Sequence, residues 1–151
     1  MVRQRSIFSF FLVLLATFLI SCGGPGVAIA PPTYTAVQLE KIQAYVPEIQ
    51  AVRDRSEELT TLIKQGDWIN VRNFIHGPIT EARLNLTYVT PNLLPKDQST
   101  ARQITRDLFN DLVKLDKATS AGNPLVALNK SQAAFADIDK FLDLLPKTEE
   151  S

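Results

Sequence analysis

One stretch, Asp67 to Val89 (DWINVRNFIHGPITEARLNLTYV), limits the folds open to this chain more than any other. At about 100° per residue, Trp68, Val71, Ile75, Ile79, Ala82, Leu86 and Val89 fall on one narrow stripe, as expected of a helix with one buried face. Arg72, His76 and Arg83 run along one margin of that stripe, giving it a basic edge. Phe74, Leu84 and Tyr88 lie roughly opposite, a second apolar patch for a neighbouring helix or, in part, for a partner. Asp67 stands where its carboxylate can accept from the orphan N–H groups of the first turn. Gly77-Pro78 interrupts the middle, and a proline there removes a ladder bond and presses on the carbonyl of Phe74, which predicts a kink. Trp68 is expected in the core, with its N–H finding a carbonyl near the helix start.

The same period runs through the flanking sequence. Thr35-Ala36-Val37-Gln38 fits a capping box, and Leu39, Ile42, Val46, Ile49, Val52, Ser56, Leu59 and Ile63 then recur every three or four residues. Pro47 falls inside this pattern. Either a long helix kinks near Gln43, or it begins at Pro47 with a separate turn before it; Gly66 stops it in both cases. Pro91 and Pro95 bracket the next connection. A third helix carries Ala101, Ile104, Leu108, Leu112 and Leu115 on one side, and Ala118 to Gly122 lets it end. Asn123-Pro124 starts a fourth, whose inner face reads as Leu125, Leu128, Gln132, Phe135, Ile138, Leu142 and Leu145, with Pro146 as its stop. Nothing alternates with period two for long enough to suggest a sheet. The expected fold is all-α, an antiparallel up-down four-helix bundle over residues 35–146, with 147–151 a frayed tail.

Ahead of the bundle lies a leader. Arg3 and Arg5 form a positive start, Ile7 to Ile20 is an almost unbroken apolar run, and Leu19-Ile20-Ser21-Cys22 closes it. The run is short for a membrane span and the right length for an export signal over residues 1–21. Leu-Ile-Ser-Cys resembles the lipobox of bacterial lipoproteins, which implies a covalent lipid on Cys22, the only cysteine. A plain signal peptide is the alternative. Residues 22–34, rich in Gly, Pro and Ala, read as a flexible tether reaching at most about 40 Å.

Composition narrows the chemistry. From Cys22 onward the chain carries 14 basic and 16 acidic residues, a net of −2 that argues against a nucleic-acid partner. One cysteine excludes an internal disulfide or a multi-cysteine metal site. A Ser-His-Asp triad lacks a nucleophile elbow. Glu57-Glu58 and Asp137-Asp139 sit where solvated helix faces are expected, and Glu81 has no histidine three residues on, as a di-metal carboxylate bundle requires. His76 is a weak zinc candidate; no metal, tightly bound cofactor or small-molecule substrate is expected, and no catalysis.

The segment Trp68-x-x-Val71-Arg72-x-x-Ile75-His76-Gly77-Pro78-Ile79-x-Glu81-x-Arg83, within a four-helix lipoprotein layout, resembles the PsbQ family. Cys22 and the short tether resemble its cyanobacterial lipoprotein branch in particular. The resemblance implies a non-catalytic extrinsic subunit of photosystem II. Such a subunit is lipid-anchored on the lumenal side of the thylakoid membrane, docks on lumenal photosystem subunits, and stabilises the oxygen-evolving machinery through calcium and chloride retention. It marks Trp68, Arg72, His76, Gly77, Pro78, Glu81 and Arg83 as a motif that serves either the partner or the architecture. The competing class is an exported helical lipoprotein that carries a ligand or metal or acts as a periplasmic adaptor. A pocket lined by convergent polar groups would mark such a carrier.

Overall fold

The computed structural model describes residues 32–147. The leader, Cys22, most of the tether and the end of the tail lie outside them. Within them the chain forms four antiparallel helical rods in an all-α bundle. The first rod comprises α1 (Ala36–Gln43), α2 (Val46–Arg53) and α3 (Ser56–Gln65). The second comprises α4 (Trp68–Phe74), a π turn (Ile75–Ile79) and α5 (Thr80–Val89). The third rod is α6 (Pro95–Ser120) and the fourth α7 (Pro124–Asp143). Each rod packs against its neighbours in sequence and the fourth closes back on the first, with the α6–α7 interface the most extensive.

Rod ends follow the expected cap chemistry. Thr35 forms a full capping box: its N–H donates to Gln38 Oε1 at 2.9 Å while its Oγ1 accepts from the Gln38 N–H at 3.2 Å. At the other end of the bundle two turns share one design. Gly66 and Gly122 adopt φ of 69° and 62°, the left-handed conformation where a side chain would be strained. The N–H groups of Asp67 and Asn123 reach back to the carbonyls of Leu62 and Ala118, satisfying orphan acceptors of the ending helix. The same two residues then cap the next helix, Asp67 accepting from the Asn70 N–H and Asn123 from the Val126 N–H.

Three sequence expectations change in the structure. The first rod is broken twice: the break at Ala44–Tyr45 matches the separate turn before Pro47 that the sequence offers as one reading, whereas the break at Asp54–Arg55 interrupts what the sequence predicts as one long helix. Pro47 explains the first break, since it stands in the first turn of α2 and has no N–H to continue the ladder. At the second the Arg55 N–H bonds to Val52, three residues back, and the guanidinium lies 4.6 Å from the Phe74 ring centroid. No helix-breaking residue marks that site. Second, the chain accommodates Pro78 through a π turn, in which the Thr80 hydroxyl donates to the Ile75 carbonyl at 2.8 Å. Gly77 is not needed there for space, because a Cβ at that position would meet nothing within 4 Å.

Third, the inner face of α7 is rotated from the sequence reading. Ala127, Ser131, Ala134, Phe135, Ile138 and Phe141 are buried, Leu128 and Leu142 only partly, while Leu125 is 78% exposed and Gln132 exposed. Small side chains at Ala127, Ser131 and Ala134 let α7 approach its neighbours closely, and a reading weighted toward large apolar residues passes over them. Elsewhere the predicted stripes hold: Val71, Ile75, Ile79, Ala82, Leu86 and Val89, and likewise Ala101, Ile104, Leu108, Leu112 and Leu115, are all buried. Of the second patch, Phe74 is buried, while Leu84 and Tyr88 remain exposed.

Candidate functional site

The basic margin of the second rod lies directly against α6. Arg72 Nη2 donates to Ser120 Oγ at 3.2 Å, His76 Nε2 meets Asp116 Oδ1 at 3.1 Å, and the Arg83 guanidinium sits 5.2 Å from the Phe109 ring centroid. The spacing is that of two antiparallel helices in register, since steps of four and then seven residues along one are matched along the other. The stripe's edge is therefore a seam between rods, and Arg72, His76 and Arg83 each find a partner there.

Hollows open on either side of the Arg83–Phe109 pair. One, of about 310 Å³, is lined by Ile75, His76, Thr80, Leu112, Val113 and Asp116 among others. The larger, about 510 Å³, lies between α5 and α6 and brings in Thr87, Thr90, Arg102, Thr105, Arg106 and Asn110. Both are open surface grooves, not enclosed cavities. No carboxylate lines the larger one. Phe109, 48% exposed, belongs to both.

The other motif residues lie elsewhere. Gly77, Pro78 and Glu81 face the first rod, beside Glu48, Val52 and Arg55, and so do not join the basic seam. Trp68 lies at the far end of the bundle, partly buried against the core, with its Nε1 3.7–3.8 Å from where a Cβ would stand on Gly66 or Gly122. Among the described residues no hydrogen bond from its indole N–H is found, so the expected carbonyl partner is absent. Nor do three or more His, Cys, Asp or Glu side chains gather as a metal ion would require; His76 and Asp116 are a pair. No helix among the described residues is long and apolar enough to cross a membrane.

Arg102, Arg106 and Phe109 are site residues that the sequence reading passes over. The signal was present as an i, i+4, i+7 stripe on the outer face of α6, where an aromatic ring stands among cations. Outside the groove several cations are tied to carboxylates. Arg53 meets Asp139 at 2.7 Å, Arg55 meets Glu58 at 2.8 Å, and Lys140 meets Asp137 at 2.8 Å. These hydrogen bonds raise the pKa of each of the three bases and lower that of Glu58.

Comparison with known proteins places this bundle. The family model for PsbQ, described as oxygen evolving enhancer protein 3, matches residues 2–146. The chain belongs to the PsbQ family. It is also 39% identical over 148 residues to the protein named CyanoQ of Synechocystis sp. strain PCC 6803, a match covering 97% of this chain and 99% of that one. PsbQ proteins are extrinsic, non-enzymatic subunits of photosystem II, and this chain is one of them.

Proposed function

We propose that this PsbQ-family chain is tethered to the lumenal face of a thylakoid membrane by lipid on Cys22. From there it docks on photosystem II and stabilises the oxygen-evolving machinery, helping it retain calcium and chloride. The observation that supports this reading is the family match running from the leader through the fourth rod. The physics is linkage. A subunit that binds only the assembled lumenal surface shifts the equilibrium toward assembly in proportion to its occupancy. A bundle lying over an ion's exit route also slows its escape without ligating it. Add-back tests the docking and the retention together. Mature protein returned to membranes stripped of it should co-isolate with photosystem II and raise oxygen evolution at limiting calcium and chloride; no gain over buffer would refute the retention role.

The tether has its own chemistry. Leu19 and Ser21 before Cys22, and the Gly-Pro-rich run after it, support lipidation of the thiol. One acyl chain alone binds a membrane only marginally, so firm anchoring needs at least two. Cys22→Ser should move the protein from the membrane to the soluble lumenal fraction after a mild salt wash. Retention of the variant on washed membranes would show that something other than lipid holds it.

A further inference from the structure

On the reading that the chain docks on photosystem II, the geometry points to what the groove between α5 and α6 takes. Its ligand is an acidic segment of a lumenal partner protein that brings carboxylates to Arg102, Arg106 and Arg83 and one apolar side chain to Phe109.

Charge complementarity carries the argument. The chain from Cys22 onward is net acidic, yet the groove between α5 and α6 presents three guanidinium groups and no carboxylate. Arg102 and Arg106 are one helical turn apart, so both forks project from the same face of α6. Their partners within the chain are neutral amides: Arg102 Nη1 lies 3.5 Å from Gln98 Oε1, and Arg106 Nη2 lies 2.6 Å from Gln103 Oε1. Among the described residues neither guanidinium meets a carboxylate. The Arg83 guanidinium lies over the Phe109 ring while that side chain stays 48% exposed, so a cation and an apolar surface stand side by side, an arrangement that accepts an aliphatic or aromatic side chain next to an acidic one. The groove spans about two helical turns, about 11 Å, room for three or four extended residues. All three cations are arginines, whose planar forks match carboxylates in paired geometry. A concave slot between two rigid rods suits an inserted segment better than a flat bilayer.

The probe is an acetylated, amidated pentapeptide, glutamate-glutamate-leucine-aspartate-glutamate, titrated into the isotope-labelled mature protein and followed by backbone amide shifts. Shifts should concentrate around Thr87, Thr105 and Phe109. Arg102→Glu/Arg106→Glu should weaken binding about tenfold or more, since two charge-assisted contacts become like-charge repulsions. Lys41→Glu/Lys64→Glu, the same change in net charge on the first rod, should leave it within about twofold. Both pairs are exposed, and a melting curve of each variant checks that it folds. Equal weakening by the two variants, shifts spread away from the groove, or equal binding of the glutamine-leucine-asparagine counterpart would each overturn the proposal. So would binding of phosphatidylglycerol vesicles that the α6 pair abolishes while peptide binding persists, because the groove would then face lipid. Recovery of photosystem II by wild type and not by the α6 variant supports the proposal, and equal recovery by both overturns it. Failure of wild type itself refutes the docking reading, and the peptide titration then decides the groove alone.

Discussion

Phe141→Ala should lower the free energy of unfolding by about 3–5 kcal/mol, the range for truncating a buried phenylalanine. The ring is 0% exposed and sits on the face of α7 that small residues bring close to its neighbours. Removing it loses the transfer free energy of the ring and leaves a void that Ile138 and the facing rods cannot collapse to fill, because they are themselves close-packed. Domains of this size are stable by only about 5–15 kcal/mol, so a fifth or more of the total is at stake. Urea unfolding reads this directly, through a lower midpoint at unchanged slope. A loss below about 1 kcal/mol would mean that this region is loosely packed.

Trp68→Ala comes next, at about 2–4 kcal/mol, reduced from the range for a fully buried ring because part of Trp68 remains in water. Its indole lies against both glycine turns, so it ties the start of the second rod to the start of the fourth. The variant should melt lower and expose both turns to faster amide exchange, while docking measured well below the melting temperature stays near wild type. A wild-type melting temperature combined with weakened docking would instead place the ring in the interface with the photosystem.

How much was legible in the residues depended on whether the signal was local. The turns at Gly66-Asp67 and Gly122-Asn123-Pro124 were readable because a left-handed glycine followed by a side-chain cap is a short-range device. The stripe from Val71 to Val89 was readable because a helix has a fixed period, and it survived the π turn at Gly77-Pro78. The break at Asp54–Arg55 was not readable, for no glycine or proline marks it and Arg55 finds its ring, Phe74, on another rod. The face of α7 was misjudged because burial there depends on how closely helices approach, and Ala127, Ser131 and Ala134 decide that through their smallness.

The site divides along the same line. The shared margin of Arg72, His76 and Arg83 follows from helical spacing, but what it meets does not. Ser120, Asp116 and Phe109 lie 26–48 residues away, brought opposite only by the register of two antiparallel rods. The motif itself proved composite: Glu81 and Gly77-Pro78 face the first rod, Trp68 braces an end, and only the basic edge reaches the groove.

Folded surface, and no reaction, is what this protein contributes to its photosystem. Affinity capture of the tagged Cys22→Ser chain from solubilised thylakoids tests it most directly, since that variant has neither lipid nor catalysis to fall back on. Recovery of photosystem II subunits at mild salt, declining as ionic strength rises, is the predicted result. A non-lipidated bundle that is folded yet brings down none of them would contradict the account.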